Sequence, residues 1–186
     1  MSGPFAGDLP ASTLILGGAR SGKSRYAETL ILGAAKAGTY IATAEAGDAE
    51  MAARIANHRA QRDNSGRGRF WRTIEEPIDV AAAIRVHAEA ARPILLDCLT
   101  LWLSNLMCAG QVIEHETEIL CAALREAKGP VVLVANEVGM GLVPDTPLGR
   151  EFRDAAGRLN QHIAAFADRV IFVAAGLPLV LKGAAA

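Results

Sequence analysis

One eight-residue stretch restricts the fold of this chain more than any other: Gly17, Gly18, Ala19, Arg20, Ser21, Gly22, Lys23 and Ser24. It matches G-x-x-x-x-G-K-[ST] and follows the apolar run TLILGG (residues 13–18), which has the composition of a buried strand. In this pattern the glycines let the loop curl, so that backbone N–H groups and the N-terminus of the next helix point at phosphate oxygens. Lys23 then reaches the β- and γ-phosphates, and the Ser24 hydroxyl holds Mg²⁺. The sequence therefore predicts a nucleoside triphosphate site, for ATP or GTP, between a strand and a helix.

The rest of the chain alternates short apolar runs with helical patterns. Strands are predicted at 13–18, 39–44, 70–74, 93–97, 130–136 and 169–175, and helices at 23–36, 48–62, 78–90, 99–107, 112–128 and 148–167. Such alternation is typical of a parallel sheet covered by helices on both faces. The last run, LPLVLK, follows too short a turn for a parallel crossover, so it is expected to be an antiparallel edge strand. Residues 1–12 are expected to form a disordered leader, and residues 13–186 a single nucleotide-binding domain.

Composition excludes several classes of protein. The 186 residues carry a formal net charge of −1, which gives no bulk attraction to nucleic acid or acidic membranes. The longest apolar stretch, VIFVAAGLPLVL, is too short to span a bilayer and contains a glycine and a proline. Cys98, Cys108 and Cys121 lack C-x-x-C spacing, which favours reduced thiols. We therefore expect a cytoplasmic protein with no nucleic-acid partner and no stable membrane insertion.

A second acidic site is expected for the metal ion. Asp97 closes the apolar run PILLD, where a strand-end carboxylate completes the Mg²⁺ shell of P-loop enzymes. The same residue also suits the N-cap of the following helix, CLTLWLSNL, and the two roles are compatible. A regulatory GTPase would need an N-K-x-D motif, and ANEVG has the asparagine without the lysine or the aspartate. The pattern favours a transferase that acts on a small molecule.

The stretch RIANHRAQR (residues 54–62) places one histidine among three arginines. On a helix, Arg54, His58 and Arg62 lie within a sector of about 80°. Two flanking cations disfavour the protonated imidazole, and a neutral ring can attack an α-phosphate to form a nucleotidyl-histidine. A solvated basic helix face has the same spacing, so the spacing alone leaves both interpretations open.

Several segments together resemble one family, the bifunctional adenosylcobinamide kinases / adenosylcobinamide-phosphate guanylyltransferases of cobalamin biosynthesis. The matching stretches are LGGARSGKSRYAE, YIATAEAGDAEMAARIANHRAQR, WRTIEEP, LLDCLTLWLSNL and VVLVANEVGMGLVPDTPLGREFRDAAGRLNQHIAAFADRVIFVAAGLPLVLKG. The resemblance implies two reactions. Adenosylcobinamide is phosphorylated with ATP or GTP, and GMP is then transferred from GTP onto that phosphate through a guanylyl-histidine, which gives adenosylcobinamide-GDP and pyrophosphate.

The resemblance also implies site residues and an assembly. The family's guanylylated histidine falls on His58, and its other nucleotide-contacting positions fall on Thr43, Ala44, Glu45, Arg59, Ala60, Gln61, Arg62, Glu75 and Asp97. The family's fold is similar to the RecA-type P-loop sheet, and its members assemble as homotrimers with sites near subunit contacts. Asn136 and Glu137, after the fifth strand, either face the cobinamide or cap a turn. The alternatives for the whole chain are a kinase that lacks the guanylyl step and a nucleotide-dependent regulatory module.

Overall fold

A seven-stranded sheet forms the centre of the chain in the computed structural model, which describes residues 9–44 and 70–183. The strands are β1 Ser12–Gly17, β2 Gly38–Ala42, β3 Trp71–Glu75, β4 Ile94–Asp97, β5 Val131–Asn136, β6 Arg169–Ala174 and β7 Leu177–Lys182. Their order is β3-β2-β4-β5-β1-β6-β7; every neighbouring pair is parallel except β6 and β7. The predicted mostly parallel sheet with an antiparallel C-terminal edge strand is confirmed.

The described helices are α1 Lys23–Ala34, α2 Val80–His87, α3 Leu99–Cys108, α4 Ile113–Glu126 and α5 Pro147–Phe166. Their bounds differ by at most three residues from the predicted ones. Helix α1 stops early because Ala35 is extended, with φ −139° and ψ 167°. Helix α2 starts late because the Asp79 side chain caps it by accepting a hydrogen bond from Ala82 N. The helix predicted at 48–62 lies outside the described residues.

Helices cover both faces of the sheet. On one face α1 packs against β1, β4, β5 and β6, where Ile15, Leu95 and Val134 are buried. On the other face a second cluster contains residues of α2, α3, α4 and α5. Leu96 of β4 belongs to this cluster, as does Trp102 of α3. Because both faces are covered, the central strands β1, β4 and β5 are buried along nearly their whole length. Among the described helices, none is both long and apolar enough to cross a membrane.

The position of β1 places the phosphate loop. This strand pairs with β5 on one side and β6 on the other. Gly17, its last residue, therefore lies between two neighbouring strands and not on an edge strand. The carboxyl ends of β2, β3, β4 and β5 reach the same edge. Ligands bind open α/β sheets outside this edge, so the residues that follow these strands form the candidate site.

Candidate active site

The phosphate loop curls between β1 and α1 as its glycines require. Gly22 has φ 93°, a conformation that favours glycine, and helix α1 begins at the next residue. Gly17 has no room for a side chain, because an added Cβ would lie 2.5 Å from Val173 O. Ser21 N donates to Gly18 O at 3.2 Å, and Lys23 Nζ donates to the same oxygen at 3.1 Å. The helix N-terminus and the lysine ammonium therefore meet on one side of the loop.

The turn between β6 and β7 contacts the phosphate loop. Gly176 N donates to Ser21 O at 2.8 Å, and Gly176 Cα lies 3.2 Å from the Cβ that Gly22 lacks. Two residues of the turn, Ala175 and Gly176, have positive φ of 51° and 79°. Sequence reasoning identified the edge strand but not this contact, because the partners are 155 residues apart along the chain, from 21 to 176.

Lys23 and Asp97 form the charged centre of the edge. The lysine side chain is largely buried, and this burial lowers the pKa of Lys23, while the charges of Asp97 and Cys98 act to raise it. Asp97 Oδ2 accepts a hydrogen bond from Tyr40 OH at 2.9 Å. The N-cap of α3 is Cys98 and no side chain caps it, so the carboxylate of Asp97 does not serve as the cap. The Asp97–Cys98 peptide bond is cis.

Thr43 ties the end of β2 to the end of β4. Its hydroxyl donates to Cys98 O at 2.8 Å and accepts from Cys98 N at 2.9 Å, and Thr43 N donates to Asp97 O at 3.3 Å. Asn105 of α3 extends the link, since its Nδ2 donates to Thr43 O at 2.8 Å and to Pro77 O at 3.0 Å. These bonds hold the segments that follow β2, β3 and β4 in one arrangement. Asn105 was missed from the sequence, although an asparagine inside the apolar run LWLSNL was the available signal.

Strand register brings two of the residues expected from the family resemblance to this edge. Ala42 pairs with Glu75 on one side and with Asp97 on the other. Adjacent strands are about 4.8 Å apart, so Glu75 and Asp97 stand about 10 Å from each other across β2. Thr43 and Ala44 follow directly on β2. The remaining expected residues lie outside the described ranges: Glu45, His58, Arg59, Ala60, Gln61 and Arg62.

The end of β5 is fixed beside the phosphate loop. Asn136 N donates to Thr100 Oγ1 at 2.7 Å, and Glu137 N donates to Gly17 O at 3.0 Å. The Glu137 carboxylate accepts from Gly139 N at 2.6 Å. Of the two interpretations of Glu137, the structure therefore supports the capping of a turn.

A cavity of about 730 Å³ lies between α3, α4 and α5. Its lining includes Leu148, Glu151, Arg158 and His162. The described ranges contain no group of three or more His, Cys, Asp or Glu side chains placed to hold a metal ion.

The three thiols should differ sharply in reactivity. Burial, with a smaller contribution from the charge of Asp97, raises the pKa of Cys98 to about 11, and burial also raises the pKa of Cys121. Cys108 is exposed. At pH 8 we expect iodoacetamide to alkylate Cys108 at least about a hundredfold faster than the other two, because the thiolate is the nucleophile and must be accessible. Peptide mass spectrometry measures the three rates, and Cys108→Ser should remove the fast phase. Rapid labelling of Cys98 in the folded protein would contradict this.

Comparison with known proteins shows the family to which the chain belongs. The family model described as cobinamide kinase / cobinamide phosphate guanyltransferase matches residues 13–181. The bifunctional adenosylcobalamin biosynthesis protein CobP of Pseudomonas aeruginosa is 52% identical over 172 residues, covering 91% of this chain and 96% of that protein. The bifunctional adenosylcobalamin biosynthesis protein CobU of Salmonella typhimurium is 43% identical over 184 residues, covering 91% and 98%.

A solved structure agrees with the fold. The flagellar accessory protein FlaH from Methanocaldococcus jannaschii superposes with a TM-score of 0.53 at 14% identity, over 95% of this chain and 80% of that one. At this identity the likeness concerns the fold alone, an α/β P-loop NTPase fold with a RecA-like, mostly parallel sheet. The family resemblance of the motifs is confirmed over nearly the whole sequence. The chain belongs to the cobinamide kinase / cobinamide phosphate guanyltransferase family and is a nucleotide-using enzyme of cobalamin biosynthesis.

Proposed function

We propose that this enzyme phosphorylates a hydroxyl of adenosylcobinamide with ATP or GTP, and then transfers GMP from GTP to the new phosphate through a guanylyl group carried by His58. The products of the second reaction are adenosylcobinamide-GDP and pyrophosphate. Lys23 and Asp97 lie at one edge of the sheet, beside a curled phosphate loop, and this placement carries the proposal. Family membership supplies the corrinoid substrate.

In the kinase step the phosphate loop holds the triphosphate. Its backbone N–H groups and the N-terminus of α1 bind the phosphate oxygens, and the Lys23 ammonium neutralises charge that develops on the transferred group. The substrate hydroxyl attacks the γ-phosphorus, a new O–P bond forms, and the bond to the β–γ bridging oxygen breaks. The hydroxyl proton leaves to solvent or to a base, and the nucleoside diphosphate departs. Bound phosphates favour the charged form of Lys23, which opposes the effect of burial.

The residues of the edge fit a magnesium ion bound together with the nucleotide. Ser24 offers a hydroxyl in the first turn of α1, and Asp97 offers a carboxylate at the end of β4; oxygen donors of this kind suit Mg²⁺. Ser21 Oγ is buried and has no hydrogen-bond partner among the residues that the structure describes, as a loop built around a polar ligand would have. When bound, Mg²⁺ supplies neutralisation of charge on the phosphate oxygens during transfer.

In the second reaction His58 is the proposed nucleophile. A neutral imidazole nitrogen attacks the α-phosphorus of GTP, an N–P bond forms, and the bond to the bridging oxygen breaks to release pyrophosphate. A phosphate oxygen of adenosylcobinamide phosphate then attacks the same phosphorus, and the N–P bond breaks to free the histidine. We assign nucleotide contacts in this step to the following residues: Thr43, Ala44, Glu45, Arg59, Ala60, Gln61, Arg62, Glu75 and Asp97. The sequence motif and the ends of β2, β3 and β4 at one edge support the assignment.

Labelled GTP tests the proposal. The wild-type protein is incubated with GTP that carries a radioactive α-phosphate, denatured, and analysed for label that stays on the chain. We expect label that survives alkali and is lost in acid, as an N–P bond requires. Adenosylcobinamide phosphate added before denaturation should remove the label and produce labelled adenosylcobinamide-GDP. Label that does not transfer to the corrinoid would contradict the proposed intermediate.

We further propose that the enzyme works in the cytoplasm as a homotrimer. Strand β7 supports the assembly, because its outer side is unpaired within the described sheet and Leu177, Leu179 and Leu181 are 72%, 60% and 56% exposed. Exposed apolar side chains in a row on an edge strand are suited to a subunit contact. The free state of the three cysteines is consistent with a reducing compartment.

A further inference from the structure

Residues 138–143, here called the arch, present apolar side chains to solvent. Met140 is 80% exposed, Leu142 is 96% exposed and Val143 is 63% exposed. Single exposed apolar residues are common on protein surfaces, but three within four positions form a patch. Such a patch is suited to a partner with an apolar surface.

Both ends of the arch are fixed to the body of the protein. At its start, Glu137 N donates to Gly17 O at 3.0 Å, and the Glu137 carboxylate accepts from Gly139 N at 2.6 Å. At its end, Arg150 of α5 donates to the carbonyl oxygen of Pro144 at 3.0 Å. A segment fixed at both ends loses little conformational entropy on binding, which favours a preformed docking surface over a disordered tail.

The arch starts beside the phosphate loop. Gly17 is the first residue of that loop, and its carbonyl oxygen accepts the hydrogen bond from Glu137 N. Gly17 and Asn136 are also paired in the register of β1 and β5. The residue that precedes the arch is therefore held against the phosphate loop.

We propose that the arch is the docking surface for the corrin ring of the substrate. This rests on the proposed function, in which a hydroxyl on a short arm of the ring meets the γ-phosphate. The distance from the ring to the phosphate loop can then be no greater than the length of this arm, and the arch begins next to that loop. The rim of a corrin carries methyl groups between its amide arms, so burial of Met140, Leu142 and Val143 against them removes apolar surface from water. The cobalt corrin carries a net positive charge, and the exposed carboxylate of Asp145 lies two residues after the arch.

The apolar surface continues past the arch. Leu148, in the first turn of α5, is 67% exposed and lines the cavity of about 730 Å³ between α3, α4 and α5. Small-molecule sites of enzymes commonly have volumes of roughly 300–1,000 Å³ with apolar linings. The arch and Leu148 together form an apolar surface that a broad ligand can contact while a nucleotide occupies the phosphate loop.

A double substitution tests the docking surface. In Met140→Ser/Leu142→Ser we expect the KM for adenosylcobinamide in the kinase reaction to rise about tenfold or more, with the KM for ATP changed by less than about twofold. The conservative pair Met140→Leu/Leu142→Met should keep the wild-type KM. Val86→Ser serves as the matched control, because Val86 lies on α2 and is 71% exposed. Sedimentation of all four proteins reports the oligomeric state.

Two results would overturn the proposal. One is an unchanged KM for the corrinoid in the serine variant. The other is a serine variant that sediments at a lower mass than the wild type, which would make the arch a contact between subunits. The guanylyl label formed from GTP alone needs no corrinoid, so the serine variant should still form it. If the wild type forms no such label, the guanylyl step of the proposed function fails, while the KM of the kinase step still tests the arch.

Discussion

Replacing Lys23 by alanine should lower kcat/KM for both the kinase reaction and the GMP transfer by about a thousandfold or more, because both use the charge that this residue places on the phosphates. The ammonium lies at the N-terminus of α1, where its Nζ is 3.1 Å from Gly18 O. A shorter apolar side chain leaves the loop in place but removes the only lysine of the loop. Coupled assays of nucleoside diphosphate and pyrophosphate release measure the two rates.

Stability separates this effect from misfolding. Burial lowers the pKa of Lys23, which means that the folded protein holds the charged form at a cost. We therefore expect Lys23→Ala to unfold at the same temperature as the wild type or at a higher one. Lys36→Ala provides the control, because Lys36 is an exposed lysine just after α1. A Lys23→Ala protein that is fully folded and retains either activity would remove Lys23 from that step.

The phosphate loop and the alternation of elements could be predicted from the sequence because both depend on local rules. The glycines of the loop, the strand before it and the helix after it lie within about 25 residues. The antiparallel edge strand was predicted from the length of one turn, and β7 confirms it. The order of the strands could not be predicted in the same way. Placing β1 between β5 and β6 depends on how helices pack on both faces, which no single segment specifies.

Contacts between distant residues account for most of what was missed. Tyr40 and Asp97 are 57 positions apart, and their hydrogen bond arises only because β2 and β4 are neighbours in the sheet. The bonds from Asn105 to Thr43 and Pro77 arise in the same way. The type of residue was informative at Asp97, where a carboxylate ends an apolar strand, and less so at Asn105. A site is easier to predict from the sequence when one short segment contains its functional residues than when the ends of three strands each contribute some of them.

Replacing His58 by alanine should abolish the transfer of GMP and leave the kinase reaction intact. Without the nucleophile no N–P bond forms, so the covalent label from α-labelled GTP should disappear and adenosylcobinamide-GDP formation should fall by about ten thousandfold or more. The kinase step is a direct attack on the γ-phosphorus and needs no such bond, so its kcat should remain close to that of the wild type. His58→Ala should therefore lose only the GMP transfer, whereas Lys23→Ala should lose both reactions.

A matched histidine control makes this division of roles decisive. His87→Ala removes an imidazole from the last turn of α2, and it should leave both the label and the two activities unchanged. If His58→Ala keeps the label, the nucleophile is another residue and the basic stretch RIANHRAQR is a solvated helix face. If His58→Ala loses the label and the kinase activity together, the stretch holds the triphosphate in both reactions. If His58→Ala loses the label and keeps the kinase activity, His58 forms the covalent bond and Lys23 acts on the phosphates in the phosphate loop. A defect in nucleotide binding would instead slow both steps.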